Sequence, residues 1–296
     1  MNLKDLQYLI ATAETRTMRQ AAEQCNVTQP TLSMQLARLE DELGCLLFER
    51  SRRGVTLTRP GQLAVEHAYR ILAEVQSMKQ QCQDDGQPLS GPFRLGLIPT
   101  IGPYLVPRIL GQLRKTYPQM QLHLREETTT RLMDKLTHGQ LDAVICAEPL
   151  ERDSLHKESL FSEAFFALLP ADHKLVKEKS LRIEQLANEH LLLLEEGHCL
   201  REQTARLCQL NTANTDIQAS SVESLRQMVA AGVGVTVLPA MTVCGRWARF
   251  SGTVTRPITP ITPATKRTVI LALRHSHPSF GAICQLAREI RDWSRA

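Results

Sequence analysis

No apolar run in this 296-residue chain approaches the ~18 residues that a membrane-spanning helix needs, so no membrane span is expected. The eight cysteines include no CxxC pair, which removes the usual zinc and dithiol spacings and leaves no metal site expected. Neither sign of charge dominates: 35 Lys and Arg stand against 31 Asp and Glu, so nucleic-acid binding cannot be argued from the net charge of +4. With 15 Gly, 15 Pro and 43% hydrophobic residues, the composition excludes collagen-like, low-complexity and disordered chains. The start, Met1-Asn2-Leu3-Lys4-Asp5, lacks the basic lead and apolar core of a signal peptide, and a cytoplasmic location is expected. In that compartment the cysteines are expected reduced. No cofactor is indicated.

What is present is organisation. The length is about that of two or three domains. Leu3, Leu6, Leu9, Ile10 and Ala13 recur at helical spacing, and residues 18–25 read as a second short helix. Thr28 is a good N-cap, Pro30 suits a first turn, and Leu32, Leu36 and Leu39 mark one buried face of a third helix ending near Gly44. Two short strands follow around the basic turn Ser51-Arg52-Arg53-Gly54, which has the form of a wing on a helix-turn-helix.

In such a unit the second helix enters the major groove through its N-terminal residues. With the leucines inward, Gln29, Thr31, Ser33, Gln35 and Arg38 flank or occupy the outer face, and amides, hydroxyls and guanidinium groups are the side chains that read base edges. Arg50, Arg52, Arg53 and Arg59 put positive charge where phosphates pass. Over residues 1–60 the basic residues outnumber the acidic ones by only one, so it is their grouping that carries the reading.

From Pro60 the pattern becomes one long helix with Val65, Ala68, Leu72, Val75 and Cys82 along a seam and Ile71 and Met78 widening it. A core helix and a dimerising linker are both compatible with it, and the two-sided apolar content favours the linker. Beyond residue 91 short apolar runs alternate with helical segments, which predicts parallel α/β layers closing on a helix from Phe280 to Trp293. The stretch Arg256 to Pro263, with proline every third residue, reads as an extended crossover rather than a polyproline recognition site.

A second constellation lies at Gly197-His198-Cys199-Leu200-Arg201, with Cys208 nine residues on. A helix starting near Cys199 places its thiol at a helix N-terminus beside His198 and Arg201, all of which favour thiolate, the form that attacks peroxide. Nine helical steps put Cys199 and Cys208 on opposite faces with Cα atoms about 13 Å apart. A disulfide needs them within about 7 Å, so joining them means unwinding the helix. The spacing alone leaves two readings open, a redox switch or two buried packing residues.

The residues Ala21-Ala22, Thr28-Gln29-Pro30-Thr31-Leu32-Ser33, Leu36, Leu39-Glu40, Leu43-Gly44, Phe48-Glu49-Arg50 and Thr58 with Gly61 resemble LysR-type transcriptional regulators. The resemblance implies a winged helix-turn-helix domain at 1–58 that binds double-stranded DNA and a dimer-forming linker helix at 59–87. It also implies an effector domain at 88–296 built as two Rossmann-like lobes similar to periplasmic binding proteins. Lobe I comprises about 88–163 and 268–296, and lobe II about 164–267. A homodimer or homotetramer working with RNA polymerase is the implied assembly.

Within that family, Gly197 to Arg201 with Cys208, Leu97-Ile98-Pro99-Thr100 with Gly102-Pro103-Tyr104, and Met228 to Gly232 before Leu238-Pro239-Ala240 resemble the members that sense hydrogen peroxide. This implies Cys199 as peroxidatic thiol and Cys208 as its resolving partner in a disulfide. Thr100, Thr129, His198 and Arg267 become the groups that hold peroxide, and a thiol reductant such as glutaredoxin or thioredoxin resets the pair. Oxidation would be stoichiometric, so no enzyme is expected. The alternative is a regulator of the same family that binds a small metabolite between the lobes near Thr100 and Thr129. Cys25, Cys82, Cys146 and Cys284 read as packing residues, and Cys45 and Cys244 lie in connections.

Overall fold

Asn2 starts the first helix, α1 (Leu3–Thr15), by accepting the Lys4 and Asp5 amides, while its own amide donates to the Asp5 carboxylate. Thr17 caps α2 (Met18–Gln24), and Thr28 with Pro30 starts α3 (Gln29–Leu43), which stops at the left-handed Gly44. The strands β1 (Phe48–Ser51) and β2 (Gly54–Leu57) pair antiparallel, Phe48 opposite Leu57. Glu40 on α3 accepts the Leu47 and Phe48 amides at 2.8 and 3.2 Å, which ties the wing to that helix. Leu9, Leu32, Leu36, Leu39 and Leu47 are fully buried, each worth about 1.5–3 kcal/mol relative to exposure.

The long helix α4 (Arg59–Gln83) runs ~38 Å at 1.5 Å per residue. Gly61 is required near its start, because a Cβ there would lie 2.0 Å from the Leu47 carbonyl oxygen. Val65, Ala68 and Leu72 pack on the same core as α1 and α3, while Leu63, Ile71 and Met78 remain exposed. One face of this helix is therefore core, and these three apolar side chains lie outside it.

These elements belong to one of two compact units in the computed structural model, Met1–Asp85; the other comprises Gly86–Leu136 and Leu141–Ala296. The structure describes residues 1–51, 54–83, 89–150, 152–209, 218–244 and 251–295. Among them no helix is long and apolar enough to cross a membrane.

The second unit is built on β3 (Gly91–Leu97), α5 (Gly102–Thr116), β4 (Met120–Glu126), α6 (Thr129–Thr137), β5 (Ala143–Ala147) and β6 (Leu155–Pro170). After these come α7 (Ile183–Ala187), β7 (Leu193–Leu194), α8 (Cys199–Leu207), β8 (Gln218–Ala219), α9 (Val222–Ala230), β9 (Thr236–Pro239) and α10 (Ala240–Val243). The chain finishes with β10 (Thr253–Pro257), β11 (Lys266–Arg274) and α11 (Phe280–Arg295). One sheet runs in the order β10-β6-β11-β5-β3-β4, with β9 also on β6.

This sheet is mixed, which corrects the expectation of parallel layers. Only β3 pairs parallel, with β4 and β5; β11 is antiparallel to β5 and β6, and β9 and β10 are antiparallel to β6. Apolar runs identify strands but carry no information on direction, which long connections decide. The 16-residue β6 is far longer than the run Ala164–Leu169 suggests, because its first half carries the polar run His156-Lys157-Glu158-Ser159 between Leu155 and Leu160. The proline-rich stretch is extended and connecting, as expected: Arg256 and Pro257 end β10, opposite Ala167 and Phe166, and the chain then leads to β11.

Two apolar cores meet along β6. Phe161 packs against the first with Leu95, Ile145, Leu271 and Ile283; Phe165 belongs to the second with Leu169, Leu192, Leu225 and Val237. In the first core the buried Asp142 accepts the Arg94 guanidinium at 2.7 Å and the His277 ring at 3.4 Å. Although burial opposes its charge, bonds from His277 and Arg94 hold the carboxyl down to about 2. A folded pKa below the unfolded 3.8 gives stability that is present above that value and is lost as pH falls from there towards 2. Asp142→Asn is therefore expected to lower the unfolding free energy by about 2 kcal/mol at neutral pH. In urea denaturation the gap to the parent should narrow below about pH 4; a gap constant with pH contradicts this.

Candidate thiol site and nucleic-acid interface

The buried pair Leu193-Leu194 on β7 carries the chain into Glu195-Glu196-Gly197, and Gly197, at φ +88°, makes the left-handed turn that redirects it into α8. His198 is the extended N-cap, its side chain making no capping bond, and Cys199 is the first helical residue. Cys208 is the C-cap, its amide donating to the Thr204 carbonyl at 3.0 Å. The helix spans the interval between the two cysteines as expected, and both thiols are free. Cys199 packs against the first core and Cys208 is buried in the second, so α8 holds the two sulfurs in separate apolar environments.

The expected charge balance at Cys199 needs correction. Burial pushes its thiol up; the Arg267 cation, the Thr129 hydroxyl and the Leu200 amide draw it down, and Glu202 opposes them. The net shift is upward, because loss of hydration outweighs the helix N-terminus. His198 supplies no cation, since its own burial pushes the imidazole towards neutrality. Arg201 turns into the second lobe instead, its Nη1 donating to the Leu194 carbonyl at 3.0 Å. Cys208, fully enclosed, is pushed up to about 11 by burial.

The cation that serves Cys199 comes from β11. Arg267, 3% exposed, donates Nη1 to the Thr100 hydroxyl at 2.9 Å and Nη2 to the Thr100 carbonyl at 3.2 Å. Its Nε and Nη2 both meet Glu163 Oε1, at 2.9 and 2.8 Å. Glu163 lies directly opposite Arg267 in the β6–β11 ladder, and its other oxygen accepts the Met241 amide at 2.6 Å. Glu163 escaped sequence reasoning because its partner is 104 residues away and neither lies in a motif.

Thr129 begins α6, and its Oγ1 is buried and lies near enough to bond the Cys199 thiol. Thr100 is 2% exposed. The structure thus brings Thr100, Thr129, Cys199 and Arg267 into one cluster, with His198 adjacent in sequence and half-buried. Cys146, fully buried on β5, is close enough for its titration to sense Cys199.

On α3, Gln29 and Arg38 are exposed and Thr31, Ser33 and Gln35 are half-buried. The Thr31 hydroxyl lies 2.8 Å from that of Thr28, so it shares in the N-cap. Arg50 stands on β1 opposite Val55, and Arg59, exposed, opens α4. Arg52 and Arg53 lie outside the described residues. Cys45, read as part of a connection, packs against the core of this unit.

The profile of the bacterial regulatory helix-turn-helix protein, lysR family, matches residues 3–62, and that of the LysR substrate binding domain matches residues 86–295. The chain is 42% identical over 294 residues to the hydrogen peroxide-inducible genes activator of Pectobacterium carotovorum subsp. carotovorum, covering 99% of this chain and 96% of that one. Among solved structures it resembles a full-length OxyR from Pseudomonas aeruginosa, at a TM-score of 0.76 and 40% identity, covering 98% of each chain. It also resembles an H2O2-bound OxyR mutant from Corynebacterium glutamicum, at a TM-score of 0.68 and 28% identity, covering 99% of this chain and 92% of that one.

Proposed function

The chain belongs to the LysR family of bacterial helix-turn-helix regulators, and on that footing we propose that it is a DNA-binding transcriptional regulator that senses hydrogen peroxide through Cys199. The observation that carries this reading is the buried cluster in which the Thr129 hydroxyl lies against the Cys199 thiol and the Arg267 cation that draws the thiol down is locked to Thr100 and Glu163. Thr100 and Thr129 offer hydroxyls that donate to and accept from peroxide oxygens, with His198 at the mouth, and Arg267 stabilises negative charge as the O–O bond breaks. The Cys199 sulfur attacks one oxygen, giving a sulfenic acid, and the thiol proton leaves on the other oxygen as water. The Cys208 thiol then condenses with the sulfenic acid, forming the S–S bond and releasing a second water.

Because α8 separates the Cα atoms by about 13 Å and the bond requires about 7 Å or less, that condensation unwinds the helix and withdraws each sulfur from its core. Opening roughly five helical hydrogen bonds at ~1 kcal/mol each is within reach of an essentially irreversible oxidation. The rearranged segment between the lobes alters how effector domains, about 88–296, pair in a homodimer or homotetramer. Through the helix at 59–87 this respaces the DNA-binding domains, 1–58, on their half-sites and changes contact with RNA polymerase. Gln29, Thr31, Ser33, Gln35 and Arg38 face the groove, while Arg50, Arg52 and Arg53 hold phosphates. A dithiol reductant of the glutaredoxin or thioredoxin kind returns the pair to thiols.

The metabolite alternative meets a steric objection: Thr100 is 2% exposed and the Thr129 hydroxyl is buried, so a guest larger than a few atoms reaches neither without rearrangement. Peptide mapping under non-reducing conditions after brief exposure to dilute peroxide tests the proposal. A Cys199–Cys208 linked peptide, together with changed operator binding, is the expected result. Unlinked cysteines with DNA binding unaltered would return the chain to the metabolite reading.

A further inference from the structure

At the far end of β6 from Glu163, a second group of side chains has the chemistry of a metal site. His156 and Glu158, two residues apart on β6, project from the same face, and their Nε2 and Oε1 atoms are 3.0 Å apart. Cys284, buried on α11, completes the group; the three ligand atoms all lie within 4.8 Å of one another. Among the described residues this is the one cluster of three or more such donors.

Its surroundings distinguish it from an incidental contact. His275, following β11, brings a second imidazole whose ring centroid is 5.7 Å from that of His156, and both rings pack against Phe280 at 6.2 and 4.9 Å. The donors stand on a strand and a helix that share the first core, so their backbone positions are set by packing.

We infer that His156, Glu158 and Cys284 bind a divalent transition metal of the zinc class, with His275 or a water as fourth ligand. An imidazole, a thiolate and a carboxylate form the borderline set that selects Zn2+ or Co2+ over Mg2+ and Ca2+. Donor separations of 3.0 to 4.8 Å bracket the roughly 3.4 Å edge of a tetrahedron with ~2.1 Å bonds. Binding replaces the S–H bond by a sulfur–metal bond and releases that proton to solvent; His156 and Glu158 bind through lone pairs, and no group changes oxidation state. Cys284 is then a ligand and not only the packing residue that its helical pattern suggests.

Titration of the reduced full-length protein with Co2+ tests the inference. The expected result is one equivalent bound, with a near-ultraviolet thiolate-to-cobalt charge-transfer band and visible bands of tetrahedral intensity, all displaced by Zn2+. Cys284→Ser is expected to abolish the charge-transfer band, and His156→Ala to weaken binding by at least about 100-fold, the upper range for loss of even an outer partner. The band should persist in the Cys199→Ser, Cys208→Ser double variant. Absence of the band from the parent, its survival in Cys284→Ser or full-strength binding in His156→Ala overturns the site, as does loss of the band in the double variant.

Discussion

Replacing Arg267 by alanine is expected to slow peroxide oxidation of Cys199 by at least about 100-fold, the loss typical of one preorganised charge-stabilising donor. It should also lower the unfolding free energy by about 3–5 kcal/mol, because the variant leaves a buried, uncompensated carboxylate. The two effects have different origins. The rate falls because Arg267 is the foremost group drawing the Cys199 thiol down against its burial. Stability falls because Glu163, 8% exposed, is left with the Met241 amide and no cation once the guanidinium is gone. Adding Glu163→Gln to the variant removes the stranded charge, so it should restore much of the stability and none of the rate. Stopped-flow oxidation with urea denaturation of the single and double variants measures both. An Arg267→Ala protein that reacts as fast as the parent removes the cation from the mechanism. The pH dependence should also move: without the guanidinium the thiol rises further, and the rate profile shifts to higher pH.

Thr129→Val has the opposite signature. Valine matches threonine in shape and deletes a buried hydroxyl whose neighbour is the Cys199 thiol. Unfolding free energy is expected to stay within about 1 kcal/mol of the parent, since a bond to a thiol is weak. Oxidation is expected to slow by roughly 10- to 100-fold, since the hydroxyl biases the sulfur. A structural threonine behaves in reverse, losing stability with reactivity intact, so calorimetry and the oxidation rate on one sample decide between them.

Much of the DNA-binding unit is legible locally. Thr28, Pro30 and the Leu32-Leu36-Leu39 row delimit α3 because capping, proline geometry and helical periodicity all act within a few residues. Gly44 ends it for the same kind of reason. In the effector unit the strands are legible but their directions are not. The first half of β6 is hidden by its polar run, since a strand covered on one face only carries a weaker signal. The Asp142 network and the His156, Glu158 and Cys284 group are invisible for another reason, as each joins residues more than 40 positions apart.

At the thiol site the division is clearest. The amino-acid sequence by itself determined that Cys199 and Cys208 bound one helix and that nine residues of helix keep their sulfurs apart, because caps and periodicity are properties of neighbouring residues. It also placed two basic side chains next to Cys199, and proximity along the chain proved a poor guide to charge. Tertiary structure decided that Arg201 turns away to the Leu194 carbonyl, that His198 is pushed towards neutrality, and that the effective cation is Arg267, which the family resemblance had named but local pattern had not, from a strand some 70 residues further on. The physical reason is that a thiol's charge state depends on burial and on distances through space. Both are set here by the register that places Glu163 opposite Arg267 on paired strands, which no local pattern encodes.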